Sequence, residues 1–147
     1  MRSFVVQSLV GQDDLMVEVV AGVLTRADGR VLACRRAPGR SAAGLWEFPG
    51  GKVERDERPE DALSRELLEE LHIDVLVAER IDRTVTWVDA TDIDLATYRV
   101  PWDAHGPSSS TDHDELRWLL PAELGSLTWA APDLPTVQAL NFATPMP

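Results

Sequence analysis

The 147-residue chain contains a single cysteine, Cys34, and has no run of 18 consecutive apolar residues. One thiol cannot form a disulfide within the chain or supply a metal site built from several cysteines, so we expect a buried, inert side chain. Without a long apolar run, a membrane-spanning helix is not expected. The N-terminus also lacks a basic region followed by an apolar stretch, so we expect a cytoplasmic protein with no membrane partner.

Positively charged residues are scarce: 14 Lys and Arg stand against 25 Asp and Glu, a net charge of −11. Such a chain repels the phosphate backbone of DNA and RNA, so we expect no nucleic-acid polymer as partner and a small-molecule ligand instead. An anionic ligand would need a metal ion to bridge it to acidic side chains. We predict a single domain over residues 1–147, with residues 1–14 forming an N-terminal arm or, at residues 4–6, a short strand.

The most informative stretch is residues 50–73, GGKVERDERPEDALSRELLEELHI, which predicts a glycine loop followed by an amphipathic helix. Pro59 suits the first helical turn, where its missing N–H costs nothing. Like charges one turn apart cost a helix roughly a few tenths of a kcal/mol, and a hard cation such as Mg²⁺ would reverse that sign. Residues three and four apart share a helix face, so the acidic face carries Glu66, Glu69 and Glu70 and the core face Leu63, Leu67 and Leu71.

The spacing of this stretch, Gly51 followed by Glu57 and then by RELLEE from Arg65, resembles the Nudix box, G-x5-E-x7-R-E-U-x-E-E-x-G-U, where U is a bulky aliphatic residue. Every charged position of the box is present. The chain departs from the family at His72, where the box has a glycine that resembles a left-handed helix cap. A histidine in the left-handed conformation costs on the order of 1 kcal/mol of stability. The departure concerns the end of the helix and not the chemistry, because the charged positions of the box are unchanged.

The resemblance implies an α/β fold, the Nudix α/β/α sandwich with a mixed β-sheet, and an enzyme that breaks phosphoanhydride bonds of nucleotides with Mg²⁺, or Mn²⁺, as cofactor. Arg65 would orient the box carboxylates through a bidentate pair. Glu57 would either be the partner of Arg65 or bind metal through water. The metal ligands that the resemblance implies are Glu66, Glu69, Glu70 and the carbonyl of Gly50.

A second acidic candidate lies in the segment TDHDELRW. Similar enzymes often have a Glu-His pair where this chain has Asp112 and His113, with the acid as an additional metal ligand or general base. Aspartate is one methylene shorter, and Glu115 competes for the role; a solvated loop is the alternative for the whole segment. The proton of the attacking water would go to Glu69 or to Asp112.

Candidate substrate contacts come from three further places. Arg35 and Arg36 follow an apolar strand, and the resemblance implies that a basic residue there, Arg35 in our assignment, contacts the substrate phosphates; a solvated strand end is the alternative. Lys52 would contact a phosphate or pair with a box glutamate. The segment WAAPDLP resembles the one that reads the base edge in MutT-like enzymes. There the Asp133 carboxylate would accept a hydrogen bond from an amine such as cytosine N4 or, protonated, donate to a purine O6; capping the last helix is the alternative. Trp129 and Trp46 would stack on a base or belong to the core.

We therefore expect a nucleoside triphosphate pyrophosphohydrolase that releases the monophosphate and pyrophosphate. Its substrate would be 8-oxo-dGTP or a cytidine nucleotide, CTP, dCTP or 5-methyl-dCTP, and its role nucleotide-pool sanitation. Two alternatives stay open: a hydrolase of ADP-ribose-type substrates, and a catalytically silent domain that binds a nucleotide. The protein would be a monomer or a homodimer.

Hydrophobic periodicity predicts the remaining elements. Strands before and after one helix, with a second helix at the end, favour a sheet between helices. The predicted strands cover residues 17–25, 31–35, 45–48, 74–88, 93–100 and 116–120, with a hairpin turn at 26–29, a helical turn at 121–124 and a helix at 134–142.

Overall fold

The computed structural model describes residues 16–143. The N-terminal arm expected at residues 1–14, with the strand considered at residues 4–6, lies outside the described residues. The elements, in chain order, are β1 (Met16–Thr25), β2 (Val31–Arg36), β3 (Trp46–Glu47), β4 (Gly50–Lys52), α1 (Pro59–Leu71), β5 (Arg80–Val88), β6 (Thr91–Pro101), β7 (His113–Leu119), two short 3-10 turns (Pro121–Ser126 and Ala131–Asp133) and α2 (Leu134–Ala143).

The strands form one mixed sheet whose main path runs β3-β2-β1-β6-β5. β1 and β6 pair in parallel along the whole length of β1, from Met16 opposite Asp92 to Thr25 opposite Pro101. β5 pairs with β6, β4 with β1 and β7 with β2, all antiparallel. The predicted mixed sheet is confirmed.

The two faces of the sheet carry separate apolar clusters, each covered by one helix. Side chains alternate along a strand, so Val20 and Leu24 of β1 face α1 while Ala21 and Val23 belong to the cluster under α2. A helix on each face makes the predicted α/β/α sandwich. The leucines expected on the core face of α1 are all buried in the first cluster: Leu63, Leu67 and Leu71.

Helix α1 begins at Pro59 and carries acidic residues in its first turn, where negative charge suits the positive end of the helix dipole. It ends at Leu71, and the next residue, His72, takes the left-handed conformation with φ 60° and ψ 37°. The His72 N–H donates to the carbonyl of Leu68 at 3.0 Å and closes the last turn. The histidine therefore occupies the backbone state expected at this position of the box.

The strand predicted at residues 74–88 is only partly right, because it begins at Arg80. The β-branched residues before it lie in an irregular connection. Ile73 and Val75 are buried against α1, whereas Leu76 is 86% exposed. Their apolar character reflects packing against the helix rather than pairing in the sheet.

Two further strands differ from expectation. The turn after β1 is present, but β1 pairs with β2 only at Thr25 and Val31. β6 pairs with the other edge of β1. The edge of β1 that β2 contacts is therefore shared with β4, a strand that is not predicted from the sequence. β7 begins at His113 rather than at residue 116, which places His113 on a strand and not in a loop. No helix within residues 16–143 is long and apolar enough to cross a membrane.

Candidate active site

A cavity of about 690 Å³ lies on the α2 side of the sheet, a size typical of small-molecule sites. Val19, Ile93 and Leu95 supply an apolar side, and the turn between β5 and β6 and residues 130–133 supply walls. The cavity also contains charged groups of both signs. The charged residues in its lining are Arg36, Glu47, Lys52, Asp89 and Asp133.

The glycines of β4 bring the backbone close to β1 and to α1. A side chain on Gly50 would collide with the carbonyl oxygen of Val20, and a side chain on Gly51 would collide with the carboxylate of Glu66. Any other residue would push these groups apart. The loop thus sets Glu66 directly against the strand that lines the cavity.

Arg65 makes the predicted bidentate pair, and its partner is Glu57. Nε contacts Oε2 at 2.9 Å and Nη2 contacts Oε1 at 3.0 Å. The hydrogen bonds from Arg65 lower the pKa of Glu57 to about 2, and the pairing raises the pKa of Arg65. Of the two alternatives for Glu57, the structure shows the pair with Arg65.

Lys52 lines the cavity at the end of β4. Its carbonyl accepts a hydrogen bond from Nη2 of Arg65 at 3.1 Å, which ties the strand to the box. Its ammonium makes no ion pair with the side chains of residues 16–143, so no pair with a box glutamate is seen there. The charge is left for a ligand.

The three glutamates of the acidic face differ in exposure. The side chain of Glu70 is 5% exposed and that of Glu66 20%, whereas that of Glu69 is 62% exposed. Glu66 and Glu69 contact Nη1 of Arg65 at 3.1 and 3.5 Å. Helical spacing brings them near one another, but Glu69 lies at the solvent edge while Glu66 and Glu70 are enclosed.

Glu70 lies where a bare carboxylate is unfavourable. Burial first, and then the negative charges of Asp112 and Glu47, raise its pKa to about 9. Its Oε1 is buried and has no hydrogen-bond partner among residues 16–143. The Nδ1 atom of His113 lies 3.6 Å away but already contacts Oγ of Ser110 at 2.7 Å.

These residues fit a hard divalent cation. A cation beside Glu70 would give Oε1 the partner it lacks and would offset the repulsion among Glu70, Glu66 and Asp112. Within the part of the chain that the structure describes, no three His, Cys, Asp or Glu side chains are already arranged to hold a metal. Glu66 and Glu69 are paired with Arg65 instead, so binding would exchange these ion pairs for metal contacts.

Asp112 reaches the box despite its shorter side chain. Its negative charge contributes to the raised pKa of the Glu70 carboxyl. Its Oδ1 pairs with Nη2 of Arg40 at 2.9 Å. The competing candidate, Glu115, is paired with Arg35 and Arg117 instead. The structure therefore brings Asp112, and not Glu115, to the box carboxylates.

The two arginines at the end of β2 point to different surroundings. Arg35 pairs with Asp114 at 2.8 Å and with Glu115 at 3.3 Å, and it lies outside the cavity lining. Arg36 lines the cavity and pairs with Glu47 at 3.4 Å. Arg36, and not the expected Arg35, is therefore the arginine that lines the cavity, because successive residues of a strand face opposite sides of the sheet.

Asp133 is a buried residue of the cavity wall, 5% exposed. Its Oδ2 accepts the backbone N–H of Phe48 at 2.9 Å. Burial, helped by the charge of Glu47 and opposed by the hydrogen bond from Phe48, raises the pKa of Asp133 well above its ordinary value. The carboxylate thus bonds to the connection between β3 and β4 rather than capping α2.

Trp129 and Trp46 belong to the core, at 6% and 5% exposure. Nε1 of Trp129 donates to the carbonyl of Leu124 at 2.8 Å, and its ring packs on Phe48 with 4.8 Å between centroids. The expectation that Trp129 binds substrate is wrong, because its indole N–H and its ring face both contact other residues of the protein. Phe48 is the aromatic residue in the cavity lining.

Comparison with known proteins places this arrangement in a family. Residues 16–140 match the NUDIX domain. The chain belongs to the Nudix family of hydrolases. The CTP pyrophosphohydrolase of Escherichia coli K12 is 41% identical over 124 residues, which cover 84% of this chain and 90% of that relative. A putative 8-oxo-dGTP diphosphatase 2 of Mycobacterium tuberculosis is 37% identical over 118 residues, 78% of this chain and 81% of the relative. The solution structure of the E. coli ORF135 protein matches with a TM-score of 0.73 at 40% identity, covering 86% of this chain and 89% of that one.

Two charged residues in the cavity of this Nudix hydrolase, Glu47 and Asp89, are not predicted from the sequence. A signal for Glu47 was available: it follows the buried Trp46 on a strand, so alternation turns its side chain the other way. Asp89 lies in the turn between β5 and β6 with φ 49°. The sequence around Asp89 predicts the turn, but it does not indicate that the turn faces the cavity.

Proposed function

We propose that this Nudix hydrolase is a Mg²⁺-dependent nucleoside triphosphate pyrophosphohydrolase. Water attacks a phosphorus of the α–β phosphoanhydride, the bond from that phosphorus to the bridging oxygen breaks, and the products are a nucleoside monophosphate and pyrophosphate. The observation that carries the proposal is the unpartnered, buried Oε1 of Glu70 beside Asp112. The relative named CTP pyrophosphohydrolase supports the reaction, and the putative 8-oxo-dGTP diphosphatase supports a role in nucleotide-pool sanitation.

The residues that would hold the metal are Glu66, Glu70 and the carbonyl of Gly50, with Glu69 free to join from the solvent edge. Bound Mg²⁺ would neutralise phosphate oxygens and lower the pKa of a water molecule. Arg65 keeps the carboxylates in place, because its pair with Glu57 fixes the guanidinium beside Glu66.

Charges in the cavity suit a triphosphate. Arg36 and Lys52 would bind its phosphate oxygens from the wall that runs past Gly51 to the box. For the proton of the attacking water we favour Asp112, whose negative charge acts on Glu70, over Glu69, which is exposed and paired with Arg65. Asp112→Asn should therefore lower kcat more than Glu69→Gln does.

Asp133 is the proposed reader of the base. Phe48 N–H occupies Oδ2, which leaves Oδ1 for a ligand. An ionised carboxylate would accept from the N4 amine of cytosine, and a protonated one would donate to a purine O6. The raised pKa makes the protonated form accessible, so both cytidine nucleotides and 8-oxo-dGTP are candidates.

The test is pyrophosphate release with Mg²⁺ from 8-oxo-dGTP, dGTP, CTP, dCTP, 5-methyl-dCTP and ADP-ribose, using Glu70→Gln as the matched control. We expect release from at least one oxidised-purine or cytidine triphosphate, falling by about a hundredfold or more in the variant. Cleavage of ADP-ribose alone would refute the proposed substrate class. Activity that survives Glu70→Gln within a few fold would refute the metal assignment.

A further inference from the structure

We infer that Glu47 is a positioning residue that fixes Arg36 in the cavity, as the last acceptor of a hydrogen-bond chain that begins at Asp112. The inference rests on the proposed function in one respect, since it takes the ligand of Arg36 to be a phosphate. We call the set Asp112, Ser110, His113, Glu47 and Arg36 the positioning chain.

The positioning chain is continuous. The Asp112 N–H donates to Oγ of Ser110 at 3.3 Å, and Ser110 Oγ lies 2.7 Å from Nδ1 of His113. On the other side of the ring, Nε2 of His113 lies 2.8 Å from Oε2 of Glu47. The same Oε2 accepts from Nη1 of Arg36 at 3.4 Å. One line of contacts thus joins the loop beside the box to the arginine in the cavity.

The directions of these hydrogen bonds agree with one another. A carboxylate only accepts, so Nε2 of His113 must carry a proton toward Glu47. Ser110 accepts from Asp112 and can give its own proton to Nδ1, which is then an acceptor. The Nε2–H tautomer of His113 satisfies Ser110 and Glu47, and it leaves Oε1 of Glu70, 3.6 Å from Nδ1, without a donor. The side chain is fully buried, so this arrangement has no competing water.

The guanidinium of Arg36 is held by three hydrogen bonds and keeps further N–H groups available for a ligand. Nε donates to the carbonyl of Ser41 at 3.0 Å, Nη2 to Oγ of Ser41 at 3.2 Å, and Nη1 to Glu47. A guanidinium has five N–H groups. Two therefore stay available for an anion, with the plane fixed from both ends. Losing Glu47 would free the Nη1 end and leave only the loop residue Ser41 to orient the group.

The neighbouring arginine supplies a matched control. Arg35 is bidentate to Asp114, with Nε to Oδ1 at 2.8 Å and Nη2 to Oδ2 at 3.2 Å, across the same strands β2 and β7. That pair lies outside the cavity lining. Asp114→Ala therefore removes a similar arginine partner from the same part of the sheet without touching Arg36.

Kinetics of Arg36→Ala, Glu47→Ala, Glu47→Gln and Asp114→Ala test the inference. A hydrogen bond to a charged group corresponds to about a tenfold change, so KM for the triphosphate should rise about tenfold in Arg36→Ala and Glu47→Ala, with kcat within about threefold. The double variant should be no worse than Arg36→Ala, because Glu47 acts through Arg36. Glu47→Gln should restore KM, since one amide oxygen can still accept both bonds. Asp114→Ala should leave KM unchanged.

Additive losses in the double variant, or an equal rise of KM in Asp114→Ala, would overturn the inference. A second measurement does not depend on turnover or on the folding yield of Glu47→Ala. In protein with ¹⁵N-labelled arginine, the Nε–H signal of Arg36 should show fast local motion in His113→Phe and stay rigid in Asp114→Ala. A rigid Arg36 in His113→Phe would contradict the positioning chain, whereas failure of the wild type to cleave any triphosphate would refute the proposed function alone.

Discussion

Replacing Glu70 by glutamine should make the metal-free protein more stable while abolishing its activity. The folded chain raises the pKa of Glu70 to about 9 from an ordinary value of 4.5, through burial and the charges of Asp112 and Glu47. Above pH 4.5 the unfolded chain releases this proton and the folded chain keeps it. Ionisation therefore favours unfolding increasingly as pH rises toward 9.

The magnitude follows from this difference. At pH 7 the unfolded carboxyl lies about 2.5 pH units above its pKa while the folded one is still protonated, and each unit is worth 1.36 kcal/mol. The cost to the wild type is about 3 kcal/mol. Glutamine does not ionise and has nearly the same shape, so the variant avoids this cost. The gain should be near zero at pH 4.5, about 3 kcal/mol at pH 7, and larger at pH 8.5.

Urea unfolding in EDTA, followed by tryptophan fluorescence at these three pH values, measures the gain. Glu69→Gln is the control. The side chain of Glu69 is 62% exposed, so the free energy of unfolding of this variant should differ from that of the wild type by less than about 0.5 kcal/mol. Adding Mg²⁺ should stabilise the wild type, because the ion binds only the folded chain. It should not stabilise Glu70→Gln, which lacks the carboxylate proposed to bind the ion. A gain that does not vary with pH, or a variant less stable than wild type at pH 8.5, would refute the reasoning.

Three further changes have definite expected results. His72→Gly should raise the free energy of unfolding by about 1 kcal/mol in urea titrations, because glycine takes the left-handed conformation without strain; a loss of stability would contradict the helix end described above. Gly51→Ala should displace the Glu66 carboxylate and lower kcat/KM by about a hundredfold or more, and retention of half the activity would show that Glu66 need not lie there. Asp133→Asn should change the ratio of kcat/KM for CTP and 8-oxo-dGTP by about tenfold while Tm moves by a few degrees, and an unchanged ratio would remove Asp133 as the base reader.

Local spacing predicted the parts of this molecule that depend on one element. The helix α1, its core face and the left-handed residue at its end follow from periodicity and from the family pattern. The pair between Arg65 and Glu57 is one of the two roles that the sequence left open for Glu57. These features require no knowledge of how distant segments meet. A sheet between two helices also follows from the order of the predicted elements, and its mixed pairing from the family resemblance.

Features that depend on register or on distant contacts could not be predicted in the same way. Arg35 and Arg36 are neighbours, and only the pairing of β2 decides which of them faces the cavity. A tryptophan such as Trp129 can belong to the core or stack on a base, and the hydrogen bond from its indole N–H to the carbonyl of Leu124 decides between the two roles. The state of Glu70 depends on the approach of the segment before β7, which is remote in sequence.

The measurement that tests the central claim most directly is ³¹P NMR of CTP, and separately of 8-oxo-dGTP, incubated with the protein and Mg²⁺ in ¹⁸O-labelled water. We expect pyrophosphate and a nucleoside monophosphate, with ¹⁸O in one of these two products and no reaction in EDTA; the labelled product identifies the phosphorus that water attacks. Formation of a nucleoside diphosphate and phosphate, or equal rates with and without the metal, would contradict the proposed reaction.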